Sequence, residues 1–141
     1  MTDIGRRAFI RNTCLVCLAA GAGVSLVSCG AASVGVYKAL SDKNKIIVPV
    51  SAFAEGKKSV IVSSGKLEYN VALIKDKETY QAIYMQCTHQ DNPVIFGGKT
   101  FLCNSHGSTF DINGYPTKSP ATEPLKKLKV EVSADNIYIL I

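Results

Sequence analysis

Two short strings hold the residues best suited to chemistry in this chain of 141 residues. They are Cys87-Thr88-His89 and Cys103-Asn104-Ser105-His106-Gly107-Ser108, and His89 and His106 are the only histidines present. Thiolates and imidazoles bind metals, and the way they are paired restricts the choice of metal. Zinc sites of the Cys2His2 type place like beside like, two cysteines a few residues apart and two histidines a few residues apart. Here each string mixes one of each. A [2Fe–2S] cluster with thiolates on one iron and histidines on the other needs this ligand set, and it has a higher potential than an all-cysteine cluster. In Cys-x-His and Cys-x-x-His both ligands can project from one loop tip, and two such loops can grip a cluster end to end. The spacing favours the cluster, with Cys87, His89, Cys103 and His106 as ligands. A zinc-stabilised domain is the alternative for the same residues.

The run Cys103-Asn104-Ser105-His106-Gly107-Ser108-Thr109-Phe110-Asp111-Ile112-Asn113-Gly114 resembles the second cluster-binding loop of Rieske proteins. That loop reads Cys-Pro-x-His-Gly-Ser-x-Phe/Tyr-Asp followed by Gly. Downstream, Ser119-Pro120-Ala121-Thr122-Glu123-Pro124-Leu125 resembles the family's proline loop, which lies over the cluster. The resemblance covers residues 46–141 and implies one Rieske-type [2Fe–2S] cluster. It also implies that the hydroxyl of Ser108 hydrogen-bonds a bridging sulfide, making Ser108 a cofactor-binding residue. Three features depart from high-potential members. Asn92 and Ser105 stand where those proteins have two loop-bridging cysteines, so that disulfide is absent. Phe110 replaces a tyrosine that donates to a ligand sulfur. The gap from His89 to Cys103 holds 13 residues, which implies a trimmed first loop.

The N-terminus reads as a targeting segment, to be kept out of the fold. Arg6-Arg7-Ala8-Phe9-Ile10-Arg11 resembles the twin-arginine export signal, with an ordinary basic leader as the alternative. A cluster is assembled in the cytoplasm, and a route for folded proteins avoids unfolding it. An apolar stretch follows from Cys14 to Val27, and Leu26-Val27-Ser28-Cys29-Gly30 resembles a lipobox with Cys29 as the acylated residue. Cleavage there removes residues 1–28 and leaves 13 basic and 10 acidic residues, a mature charge of +3. An uncleaved span is the rival, because no charge occurs between Arg11 and Lys38, and roughly 20 apolar residues cross a bilayer. Either way the domain sits in the cell envelope, attached to a membrane on its extracytoplasmic side. Cys14 and Cys17 lie inside the signal. With Cys29 acylated and two thiols on iron, no cysteine remains for a disulfide.

Residues 29–45 read as a tether and residues 46–141 as one domain. Short runs rich in Val, Ile, Tyr and Phe alternate with turn residues. They predict strands near Ile46–Val50, Ser59–Val62, Glu68–Ile74, Gln81–Gln86, Thr100–Leu102, Thr109–Asp111, Leu128–Val132 and Ile137–Leu140, with no helical period. The expectation is an all-β fold, an antiparallel β-sandwich or barrel base, with a cluster-binding subdomain of loops at one end spanning about residues 86–124. Val71, Leu73, Ile83 and Met85 are expected in the core. Asp111 is expected to cap a turn, not to act as an acid or base.

There is no nucleophile–base pair, phosphate loop or flavin motif, so no catalytic residue is assigned. Sixteen basic against 11 acidic residues is too weak and scattered a bias for nucleic acid. Lys126, Lys127 and Lys129 read as a solvated strand face, with a docking patch as the alternative. The chain reads as a one-electron carrier, an electron-transfer subunit of an oxidoreductase and not a stand-alone enzyme. The resemblance implies the iron–sulfur subunit of a quinol-oxidising respiratory complex, partnered by a membrane, a cytochrome or quinol-oxidising subunit, and quinol itself. A ferredoxin-like carrier for another exported oxidoreductase, of the arsenite oxidase type, is the second reading. A zinc-stabilised structural lipoprotein is the third.

Overall fold

In a computed structural model, residues 34–141 are described. The Arg6-Arg7 pair, the apolar stretch with Cys14 and Cys17, and Cys29 lie outside them. Four consecutive apolar residues, Val71-Ala72-Leu73-Ile74, mark the centre of the fold. They lie in strand β5 (Val71–Asp76), and all four are buried. A strand buried on both faces needs apolar residues at successive positions. Val71 and Leu73 face one core, with Ile46, Val48, Val60, Val62, Ile137 and Ile139. Ala72 and Ile74 face a second, with Ile83, Met85, Val94, Phe96, Phe101 and Phe110. Val71, Leu73, Ile83 and Met85 are thus all buried as expected, the first two in one cluster and the last two in the other.

Two sheets build the base. The first contains β1 (Val36–Lys38), β4 (Ser59–Ser63), β5, β6 (Thr79–Tyr84) and β11 (Lys127–Leu128), in that order. The second runs β12 (Val130–Val132), β13 (Asn136–Leu140), β3 (Lys45–Pro49), β2 (Leu40–Asp42). Pairing is antiparallel except between β1 and β4. At one side the chain steps from β1 to β2 through Ala39, and at the other from β11 to β12 through Lys129. Each single-residue step carries the chain from the outer strand of one sheet to the outer strand of the other. Strands that switch sheets in this way make the corners of a closed barrel, and closure removes free edges.

These steps correct two expectations. Residues 36–42, expected in the tether, form β1 and β2, because Tyr37 and Ala39 pack against the base core while Val36 and Leu40 point outward. The single strand expected at Leu128–Val132 is two, in different sheets. A 3-10 turn at Val50–Gly56, broken at Ala54 and Glu55, supplies buried Phe53 and is the only helical element among the described residues. No helix among the described residues is long and apolar enough to cross a membrane.

A third sheet, β10 (Pro116–Lys118), β9 (Thr109–Phe110), β8 (Phe101–Leu102) and β7 (Ile95–Phe96), covers the outer face of β5 and β6 through the second core. Its strands are short because their job is to end in loops at fixed places. The fold is thus almost all β, with the third sheet and its loops standing on a barrel.

Candidate metal centre

Cys87 and Cys103 open two turns of the same construction. The Cys87 amide donates to the Asn92 carbonyl at 2.7 Å, and the Asp91 amide donates back to the Cys87 carbonyl at 2.9 Å. In the second turn the Cys103 amide donates to the Ser108 carbonyl at 2.9 Å, and the Gly107 amide to the Cys103 carbonyl at 2.9 Å. The fourth residue after each cysteine has a positive φ, 51° at Asp91 and 78° at Gly107. Glycine adopts that conformation freely and aspartate tolerates it.

The turns aim backbone donors at sulfur. The amides of His89 and Gln90 point at Cys87, and those of Ser105 and His106 at Cys103. Burial pushes the Cys87 thiol up, and the neighbouring Cys103 thiol adds to the rise against the pull of the two amides. Burial also raises Cys103, but the Ser105 amide, the Cys87 thiol and the His106 amide outweigh it and leave that thiol below its ordinary value. The sulfurs are thus neighbours, each 1% exposed as a residue and each cradled by donors that favour a thiolate.

The two histidine rings also meet, with centroids 4.9 Å apart and planes at 87°. His106 is exposed and His89 half-buried. Nδ1 of His89 is buried without a hydrogen-bond partner. A buried, unpartnered ring nitrogen is costly unless something accepts its lone pair, and a metal does so. Sulfur is therefore beside sulfur and imidazole beside imidazole. Among the described residues, no three His, Cys, Asp or Glu side chains converge as a group for one metal ion. Paired ligands suit two irons better than one tetrahedral zinc. The residues present fit a [2Fe–2S] cluster.

The 119–125 loop is fastened beside both turns. The Ala121 amide donates to Ser108 Oγ at 3.0 Å, the Thr88 hydroxyl to the Glu123 carbonyl at 2.7 Å, and the Leu125 amide to the Gly114 carbonyl at 2.8 Å. Asp111 Oδ1 accepts from the amides of Asn113 and Tyr115, both at 2.9 Å, so it caps its turn as expected. Asp91 accepts from Gln86 Nε2 at 3.1 Å. Sequence reasoning missed Thr88 as the bolt between the first turn and the loop. It also missed the positive φ of Asp91, although Asp91 and Gly107 share the same offset from their cysteines. Lys126, Lys127 and Lys129 are exposed, with Lys127 Nζ 5.5 Å from the centre of the Tyr115 ring.

The Rieske [2Fe–2S] domain model matches residues 43–129. Iron–sulfur subunit 2 of the cytochrome b6-f complex of Nostoc sp. is 39% identical over 56 residues, spanning 40% of this chain and 30% of that protein. The corresponding subunit of Trichormus variabilis matches to the same extent. The chain thus matches less than a third of the length of these relatives. The plasma membrane Rieske protein PetC3 of Synechocystis superposes with a TM-score of 0.53 at 25% identity, covering 67% of this chain and 99% of that one. The complex of oxygenase and ferredoxin in carbazole 1,9a-dioxygenase contains a chain with a TM-score of 0.51 at 22% identity, a likeness of fold that covers 70% of this chain and 94% of that one. With the family model matching well over half of the residues, the chain belongs to the Rieske [2Fe–2S] family, whose domain carries a single Rieske-type cluster.

Proposed function

We propose that Cys87 and Cys103 hold one iron of the cluster and His89 and His106 the other, and that the chain is the membrane-attached electron-transfer subunit of a quinol-oxidising complex on the extracytoplasmic side. The pairing of buried thiols behind and more exposed imidazoles in front carries this reading. When bound, the cluster supplies one-electron chemistry. The chain does the rest. The four turn amides and the buried Ser108 hydroxyl surround the sulfur side with donors. The 119–125 loop, tied to Ser108 and Thr88, packs Ala121 and Leu125 into the same buried cluster as the two thiols. The exposed edge of His106 offers a hydrogen-bonding nitrogen to a quinol hydroxyl.

The anchor in this reading is acylated Cys29 after cleavage at residue 28, delivered through the Arg6-Arg7 signal. The relatives in cytochrome b6-f complexes and the plasma membrane protein PetC3 support membrane attachment. A second reading, a carrier serving another exported oxidoreductase, is favoured by Phe110 in place of a sulfur-donating tyrosine and by Asn92 and Ser105 in place of bridging cysteines. Gentle purification of the tagged chain from native membranes separates the two. Co-purification of a b-type cytochrome with quinol-dependent reduction of the cluster is expected. Co-purification of a molybdenum oxidoreductase without any b-type cytochrome would replace the first reading with the second.

A further inference from the structure

Strand β10 does not run in regular register with β9. Pro116 pairs with Phe110, but Lys118 pairs with Thr109, so an extra residue, Thr117, is inserted. The hydroxyls of Thr109 and Thr117 meet at 2.8 Å, which places both Thr117 and Lys118 against Thr109. A bulge of this kind turns the following side chain away from its regular direction. Lys118 Nζ comes to lie 4.0 Å from where a Cβ on Gly107 would be, against the turn that carries His106. Lys118 is exposed and makes no salt bridge or side-chain hydrogen bond among the described residues, so no carboxylate cancels its charge.

Resting on the ligand set proposed above, we infer that Lys118 raises the potential of the centre. Its ammonium is a positive charge that the bulge directs to Gly107, the residue next in sequence to the more exposed histidine. Reduction adds one negative charge to the centre, so a neighbouring cation favours the reduced form and raises the midpoint. Because the lysine is exposed, the effect is screened by salt, and the Debye length falls from about 10 Å at 0.1 M to about 3 Å at 1 M.

The test is redox titration of the full-length holoprotein in detergent, for the wild type and for Lys118→Gln, Lys118→Glu and Lys118→Arg. Lys77→Gln, at the β5–β6 turn on the far end of β6 from Cys87, is the control. The midpoint is expected to fall in Lys118→Gln, to fall further in Lys118→Glu, and to stay near wild type in Lys118→Arg and Lys77→Gln. The differences should shrink in about 1 M salt. An unchanged midpoint in both Lys118→Gln and Lys118→Glu, with the cluster signal intact, overturns the inference and leaves the ligand assignment standing. A wild-type protein without a Rieske-type signal overturns the ligand assignment and this inference with it.

Discussion

Ser108 is the one buried polar side chain among the described residues, at 0% exposure. Its oxygen accepts the Ala121 amide, while no protein group among the described residues accepts its proton. The family resemblance implies an acceptor for that proton in a bridging sulfide. Hydrogen bonds to charged groups contribute roughly 1.5–3 kcal/mol, and for one electron a tenfold change in equilibrium is about 59 mV. With the bond made in the reduced form, Ser108→Ala lowers the midpoint by roughly 60–130 mV. Redox titration checks it, and an unchanged midpoint would mean that the turn amides alone tune the sulfurs. That two matched turns bring the cysteines together and the histidines together, and that Asp111 caps its own turn, is legible in sequence because residue type and local spacing carry the information. Thr88 is not, because its partner, the Glu123 carbonyl, is 35 positions away and is reached only when the 119–125 loop folds over.

Among the elements, Gly114 fixes how the second turn passes beneath that loop. Its φ is +84°, and a Cβ there would sit 3.2 Å from Leu125 Cβ. Gly114→Ala therefore combines backbone strain with a clash in the second core. It should lower the unfolding free energy of the holoprotein by about 1–3 kcal/mol, read from the shift of the denaturation midpoint. Wild-type stability would show that Leu125 and Ile83 yield freely. The longer strands are legible to within a few residues, since β3, β4 and β13 carry enough alternating apolar positions to mark a face. β7 and β10, of two and three residues, are not, because they are too short to show a period and are held by cross-strand partners. β1 and β2 were read as tether because Lys38, Asp42 and Lys43 look like a solvated linker. Only barrel closure gives Tyr37 and Ala39 a core to pack against.

For the whole molecule, a barrel supports a small sheet whose two turns present paired thiols and paired imidazoles. The all-β class and the cluster loops follow from local pattern. The corner crossings do not, since one residue, Ala39 or Lys129, separates strands of different sheets. The export proposed above is also a property of the whole chain. Changing Arg6 and Arg7 together to Lys should abolish holoprotein in the extracytoplasmic membrane fraction, assayed by fractionation and cluster signal. Undiminished export would identify the pair as an ordinary basic leader, with the cluster loaded afterwards. The central claim, a [2Fe–2S] cluster on Cys87, His89, Cys103 and His106, is tested most directly by metal content together with electron paramagnetic resonance of the dithionite-reduced protein. Two irons per chain are expected, with a Rieske-type signal that disappears when any one of these four residues is replaced by alanine. Stoichiometric zinc with no such signal would contradict it.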